Sequence, residues 1–173
     1  STFDGTGKVS DWWTPADREA FTARTRALID QYSAYRPALL VARAEAAGED
    51  VSAVPHVNGA LTIGENIGDL GGLGIALKAY RLALAEAGIE SVEEAPVIDG
   101  LSALERFFCS WARIWRGRNR DDYAELLLTI DPHSPNEFRC NGIVRNMDAF
   151  YEAFGVTGDD ALWLAPEKRI TIW

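Results

Sequence analysis

The sequence predicts a single, mainly α-helical domain with at most one small hairpin. Its 173 residues, 47% of them hydrophobic, are enough for one compact core and leave little room for a second domain. Apolar residues recur at helical spacing in several segments. No repeat of 20 to 50 residues and no low-complexity tract interrupts this pattern.

Start signals and apolar spacing predict five helices. A cap residue, a proline and an acid stand at Thr14, Pro15 and Asp17, a typical helix start, and this helix is expected to run to about Tyr35. The other four are expected over residues 63–87, 101–116, 121–128 and 146–154. Their expected buried residues are Leu104, Phe108, Trp111 and Trp115 in 101–116, and Met147, Phe150 and Phe154 in 146–154, where Asn146 is the expected cap.

The remaining stretches lack a firm period. We expect a loop or short hairpin over residues 3–13, a variable loop with room for a short helix over 39–58, a loop over 130–139 and an extended tail over 168–173. Cys109 and Cys140 are too few for a disulfide framework and match no zinc finger. We interpret both as buried apolar residues, with a bridge between them as the alternative.

Charge and hydropathy exclude several kinds of partner. A net charge of −9 argues against nucleic acid or an anionic membrane as the main partner, because neither attracts an acidic surface. No apolar run is long enough to span a bilayer, and the first residues lack the regions of a signal peptide. We therefore expect this chain to be soluble, with no membrane segment. Secretion, the cell envelope and the cytoplasm all remain open for the whole protein.

Residues 62–74 carry the strongest chemical signal. Five glycines, at 64, 68, 71, 72 and 74, lie in a predicted helix, where each costs about 1 kcal/mol relative to alanine. Glycine allows another backbone to approach closely. The segment therefore predicts a second helix packed tightly on this one, and that helix need not belong to this chain.

Two carboxylates share one face of the same helix. Glu65 and Asp69 are four residues apart and repel each other unless a positive group compensates. A cation beside them is the economical explanation. In the alternative, Thr62 and Glu65 form a capping box, and Glu65 only returns to the backbone amide of Thr62. The glycine spacing fits neither a dinucleotide-binding loop nor a phosphate-binding P-loop.

Two segments, taken in order, are similar to the signatures of one family. Gly-Glu-Asn-Ile-Gly-Asp-Leu-Gly-Gly-Leu at 64–73 and Asp-Pro-His-Ser-Pro-Asn-Glu-Phe-Arg at 131–139 resemble the C-terminal motifs of the neprilysin family of zinc metalloendopeptidases. The likeness covers nearly the whole chain, is weakest over residues 36–58, and is closest to actinobacterial members. It implies the helical C-terminal half of a zincin-like catalytic domain, spanning residues 1–173.

The resemblance implies a zinc site to which this chain contributes one ligand. Glu65 would be the third protein ligand of Zn²⁺, beside two histidines, with a fourth position open to water. Asp69 would accept the outer N–H of a zinc-bound histidine and fix its orientation. His56 matches a family histidine outside the zinc shell.

The second signature implies groups that act on the peptide substrate. His133 would donate a hydrogen bond to the oxyanion formed on the peptide carbonyl, and Asp131 would favour its protonated form by nearby charge. Arg139 would bind a backbone carbonyl of the substrate with its fork of donors.

The helix with His-Glu-x-x-His, which would hold two zinc ligands and the general base, is absent from these 173 residues. The expected partner is therefore the N-terminal remainder of the same protein that carries this motif. This chain alone is predicted to bind zinc weakly and to have no peptidase activity. The whole enzyme would hydrolyse internal bonds of short peptides by zinc-activated water.

A non-catalytic helical interaction module is the alternative function. Retention of Glu65, Asp69, His133 and Arg139 speaks against it, because an inactive module has no chemical reason to keep all four.

Overall fold

The computed structural model describes residues 4–172, which form seven α-helices and contain no β-strand. The helices are α1 (Pro15–Ser33), α2 (Ala38–Ala47), α3 (Gly59–Glu86), α4 (Ala103–Ile114), α5 (Asp121–Ile130), α6 (Asn136–Val144) and α7 (Asp148–Phe154). Single 3-10 turns lie at Val51–Ala53 and Pro166–Lys168. The predicted mainly helical fold is confirmed. Phe3 and Trp173, at the ends of the expected hairpin and tail, lie outside the described residues.

Helix α1 begins where the sequence predicts. The side chain of Thr14 accepts a hydrogen bond from the Asp17 backbone N–H at 3.1 Å, which satisfies one of the free donors at the helix start. Leu28 and Tyr32 are fully buried, and α1 packs along α3. Helix α1 is therefore fixed by its own cap and by core burial together.

Helix α3 begins four residues earlier than predicted. Asn58 is its cap and accepts from the Leu61 backbone N–H at 3.0 Å. The hydroxyl of Thr62 instead bonds to the backbone carbonyl of Asn58, at 3.1 Å. The capping-box interpretation of Thr62 and Glu65 is therefore wrong, because both residues already lie inside the helix.

Helix α2 occupies the first part of segment 39–58, where a variable loop with room for a short helix was expected. It buries Leu40 and Ala44 and ends at Gly48, whose φ of 69° is left-handed. The residue before it, Pro37, provides no side-chain cap, and the Ala38 backbone N–H instead donates to the Glu137 carboxylate at 3.0 Å. The start signal of α2 thus lies 99 residues away in the sequence, where no local pattern could reveal it.

Helix α6 occupies the end of the segment expected to be a loop, so Arg139 lies on a helix.

Asn146 was the expected cap of the next helix, but α7 begins at Asp148 without a side-chain cap. Asn146 is buried instead, and its side chain bonds to Gln31 and to the Ile170 backbone N–H. Phe154, expected to be buried, is 41% exposed.

Helix α4 confirms part of its expected apolar stripe. Leu104 and Phe108 are buried, and a complete capping box joins Ser102 to Glu105. The interpretation of both cysteines as buried residues is wrong for Cys109, which is exposed. Cys140 is half-buried, and both are free thiols, so the alternative of a bridge is also wrong.

The core formed where α1, α3 and α6 meet positions the helices that carry the candidate active site. The Tyr32 hydroxyl donates to the Phe138 carbonyl at 3.1 Å, and Gly142 lies so close that an added Cβ would stand 2.8 Å from that hydroxyl. These contacts fix α6 against α1, and α6 also contacts α3 directly. None of the helices between residues 4 and 172 combines the length and apolar character that crossing a bilayer requires.

Candidate active site

All five residues predicted for the site come together in the structure. Glu65 and Asp69 lie on α3, Arg139 lies on α6, and Asp131 and His133 lie on the loop between α5 and α6. Ion-pair contacts join them into one cluster. His56 is exposed in the segment before α3 and forms none of these contacts.

The centre of the cluster is a two-point ion pair between Asp69 and Arg139. Arg139 Nε lies 2.7 Å from Asp69 Oδ2, and Nη2 lies 2.8 Å from Oδ1. The two side chains are only 10% and 16% exposed, so water screens this pair weakly. The hydrogen bond to Asp69 raises the pKa of Arg139 above its already high usual value.

Arg139 also reaches the second carboxylate of α3 and an aromatic ring. Its Nη2 lies 3.7 Å from Glu65 Oε2, and its guanidinium carbon lies 4.1 Å from the ring centre of Trp115, within the range of a cation–π contact. The positive charge expected beside Glu65 and Asp69 is therefore present in this chain, as Arg139. Stacking and pairing together fix the plane of the guanidinium group.

His133 lies between two carboxylates. Its Nε2 is 3.2 Å from Glu65 Oε2, and its Nδ1 is 2.7 Å from Asp131 Oδ1. The same Asp131 oxygen accepts from the His133 backbone N–H at 2.9 Å. Burial opposes ionisation of Asp131, but the hydrogen bonds from the backbone and ring of His133 hold its pKa below the usual value. Asp131 therefore stays ionised and orients the ring.

A buried polar chain behind the cluster was not anticipated from the sequence. Asn66 is fully buried; its amide donates to Thr62 Oγ1 at 3.0 Å and accepts from Ser134 Oγ at 2.8 Å. Each of Asn66 and Ser134 directly follows a predicted site residue. Their positions inside the two motifs were visible in the sequence, but nothing in either motif indicated that they contact each other.

Four glycines of α3 face away from the described chain. A Cβ added at Gly64, Gly68, Gly72 or Gly74 would meet nothing within 4 Å. Ile75, beyond them on the same helix, is 67% exposed. The tightly packed helix expected from these glycines is thus not found among residues 4–172, and the close approach of α1 occurs at Gly59 instead.

A cleft of 430 Å³ adjoins the cluster and includes His133 and Arg139 in its lining. Gly117 and Leu127 contribute to its other walls. It is large enough for a side chain or short segment of a peptide. The donors of Arg139 and the imidazole of His133 are therefore accessible from this side.

The donor groups of the cluster fit part of a metal site but not a whole one. Among the described residues, no group of three His, Cys, Asp or Glu side chains is arranged to hold one. Within the cluster, Glu65 is placed to serve as one metal ligand: its side chain is 45% exposed, and it directly follows Gly64 of the open glycine face. Carboxylate oxygen is an accepted zinc ligand. Glu65 therefore fits as one member of a site completed by groups outside residues 4–172.

Glu137, on the cleft wall, gives a pH-dependent prediction. Burial raises the pKa of this half-buried carboxyl, and the bond from Ala38 N–H opposes the rise. A raised folded-state pKa means that its stabilising contribution is full below the unfolded value of about 4.5 and is lost as pH rises. Because solvent screens a half-buried group, we expect Glu137→Gln to raise the unfolding free energy at pH 7 by no more than about 1 kcal/mol.

Thermal unfolding of the Glu137→Gln variant at about pH 4 and about pH 7 measures this effect. The gain over the parent chain should grow with pH. Glu19→Gln, at an exposed position of α1, is the matched control and should show no such trend. A gain that shrinks with pH would contradict the prediction.

Solved structures that share this fold include a metalloprotease. The zinc metalloprotease ZMP1 of Mycobacterium tuberculosis, in complex with an inhibitor, has a TM-score of 0.86 and 56% identity; the match covers 99% of this chain and 24% of that one. PepO from Lactobacillus rhamnosis has a TM-score of 0.72 and 32% identity, over 96% of this chain and 22% of that one.

Residues 1–170 match the model of Peptidase family M13, and the chain belongs to this family. Neprilysin-1 of Caenorhabditis elegans is 34% identical over 171 residues, which are 99% of this chain and 21% of that protein. The chain thus spans about a fifth of the length of the curated relatives it matches. The neprilysin-family resemblance, with its likeness to actinobacterial members, is confirmed.

Proposed function

We propose that the whole protein is a zinc-dependent endopeptidase that hydrolyses internal bonds of short peptides, and that this chain supplies the second half of its active site. The clustering of Glu65, His133 and Arg139, with contacts of 3.2 and 3.7 Å to Glu65, is the observation that supports it. These groups come from distant parts of the sequence. A purely structural carboxylate has no need of an imidazole and a guanidinium beside an open cleft.

Each residue has a role that its surroundings suit. Glu65 would be the zinc ligand of this chain, and bound zinc would supply Lewis-acid polarisation of the scissile carbonyl and a more acidic water. His133, oriented by Asp131, would donate to the oxygen on which negative charge develops. Arg139, held flat by Asp69 and Trp115, would donate its remaining N–H groups to a substrate carbonyl.

Asp69 would serve two partners in this proposal. Both of its oxygens accept from Arg139, but each carboxylate oxygen can accept a further hydrogen bond. One of these sites is available to the outer N–H of a zinc-ligating histidine, as the family resemblance implies. Asp69 would then connect the orientation of the ligand histidine to that of Arg139.

The missing ligands would come from the N-terminal remainder of the same protein. The open glycines at 64, 68 and 72 form a face of α3 on which a second helix can pack closely, and Glu65 lies beside that face. A helix bearing His-Glu-x-x-His packed there would bring two histidines to Glu65. This arrangement accounts both for the glycines and for a single ligand in this chain.

Glu65→Gln in the whole protein tests the proposal. Because glutamine lacks the negative charge of the ligand, we expect zinc content to fall and peptide hydrolysis to drop by at least about 100-fold. Elemental analysis and the cleavage rate of a fluorogenic peptide measure the two effects. Glu86→Gln, at an exposed position near the end of the same helix, is the matched control and should leave both unchanged. Full zinc and full activity in Glu65→Gln would refute the ligand role.

The alternative is a non-catalytic interaction module, for which the exposed face of α3 with Ile75 is the relevant observation. Whether the protein is a peptidase or an interaction module, the 173 residues alone are expected to be inactive. They differ in the whole protein, where a module would show no hydrolysis with zinc present. The open cleft beside His133 and Arg139 favours the peptidase.

A further inference from the structure

We propose that Asn66 and Ser134 are a positioning pair that fixes His133 relative to Glu65. The inference rests on the proposed function, because it concerns the alignment of two groups of that site. Asn66 follows Glu65 on α3, and Ser134 follows His133 on the loop. One hydrogen bond of 2.8 Å, from Ser134 Oγ to Asn66 Oδ1, therefore joins the two backbone segments that carry the site.

The direction of this hydrogen bond is determined by its chain of partners. The Asn58 carbonyl can only accept, so the Thr62 hydroxyl, at 3.1 Å, must donate to it. The Thr62 oxygen is then free to accept from Asn66 Nδ2 at 3.0 Å, which turns Asn66 Oδ1 toward Ser134. Only a donor satisfies Oδ1 at that place, and the serine hydroxyl supplies it.

Burial makes the series of hydrogen bonds through Thr62, Asn66 and Ser134 rigid. Asn66 is 0% exposed, and Thr62 and Ser134 are each 3% exposed, so water cannot substitute for a lost partner without entering the core. An unsatisfied buried amide costs free energy. The hydrogen bonds that join Thr62, Asn66 and Ser134 are all formed in one arrangement only. The loop is thus anchored to α3 at the position next to His133.

His133 is the site residue for which this anchoring matters most. His133 itself is 44% exposed and lies on a loop, so packing holds it less firmly than a buried residue. Its ring contacts Asp131 on the same loop and Glu65 on α3, but these contacts are partly exposed and therefore weak, so a firm placement of the loop against α3 needs a buried contact. The Asn66–Ser134 bond supplies that placement, and small displacements of a donor in an active site lower the rate strongly.

Ser134→Ala in the zinc-loaded whole protein is the test, and Ser102→Ala is its matched control. Ser102 caps α4 through a hydrogen bond to the Glu105 backbone N–H, so its loss lowers stability without touching the site. We expect Ser134→Ala to lower kcat about tenfold with KM changed less than about twofold. Ser102→Ala should lower Tm and leave kcat unchanged.

The same substitution is then made in a His133→Ala background. If Ser134 acts by positioning His133, removing the imidazole first should abolish the effect of Ser134→Ala on kcat, which a general loss of stability would not do. Equal effects of Ser134→Ala in both backgrounds would overturn the inference. So would a Ser134→Ala kcat equal to that of Ser102→Ala.

Failure of the underlying function is distinguishable from failure of the inference. An unchanged kcat in His133→Ala alone would overturn the proposed role of His133, and with it the inference that Asn66 and Ser134 position this residue. A reduced kcat in His133→Ala with no effect of Ser134→Ala overturns the inference only. If Ser134→Ala does not fold, Thr62→Val breaks the other end of the chain and should lower kcat in the same His133-dependent way, while Thr62→Ser, which keeps the hydroxyl, should not.

Discussion

Replacing Gly59 by alanine is expected to lower the unfolding free energy of this chain by at least about 3 kcal/mol. A Cβ at this position would stand 2.2 Å from the Ile29 carbonyl oxygen and 2.6 Å from Ser33 Oγ. The oxygen belongs to the backbone of α1 and can retreat only if the helix moves. Because α1 carries the fully buried Leu28 and Tyr32, moving it would open the core.

The control for Gly59→Ala is Gly68→Ala on the same helix. A Cβ at Gly68 meets nothing within 4 Å, so alanine should raise the unfolding free energy by about 0.5 to 1 kcal/mol through helix propensity alone. Urea unfolding of both variants measures the two changes, which should have opposite signs. Equal changes would show that the Gly59 contact does not hold α1 in place.

Asp69→Asn is expected to lower the unfolding free energy by about 2 to 3 kcal/mol. The substitution removes the charge opposite Arg139, and one amide hydrogen atom then faces a guanidinium N–H. Because Asp69 and Arg139 are 10% and 16% exposed, solvent compensates the stranded cation only in part. The Trp115 ring on the other side of the guanidinium offers weak compensation of its own.

Asp148→Asn is the matched control for this ion pair. Asp148 accepts from Arg169 Nη1 at 2.6 Å, but its side chain is 76% exposed, so its loss should cost less than about 1 kcal/mol. Chemical unfolding of the two single variants gives the comparison. A loss at Asp69 no larger than that at Asp148 would mean that burial does not strengthen the Asp69–Arg139 pair.

The sequence predicts those helices whose start signals are local. Helix α1 begins at its predicted cap, and α4 and α5 lie within about two residues of expectation, because capping residues and apolar spacing stand in the segments themselves. Helix α2 could not be placed, since Glu137 supplies its N-terminal partner. Helix α6 follows Pro135, which offers no capping side chain. Both depend on contacts formed only after folding.

The members of the site were predictable, and most of their contacts were not. The motifs indicated Glu65, Asp69, Asp131, His133 and Arg139, which the structure brings together, and their catalytic roles remain proposals. The pairing of Asp69 with Arg139 crosses 70 residues, and no spacing rule reaches that far. The stacking on Trp115 and the bond between Asn66 and Ser134 were hidden for the same reason, since both join separate elements.

The 70-residue separation of Asp69 and Arg139 also determines when the site can form during synthesis. Closing so long a loop costs chain entropy that only the finished core of α1, α3 and α6 can offset. When α3 has just left the ribosome, Glu65 and Asp69 have neither the guanidinium nor the imidazole beside them. The nascent site is therefore a bare pair of like charges, and its electrostatic compensation arrives only once α6 has been synthesised.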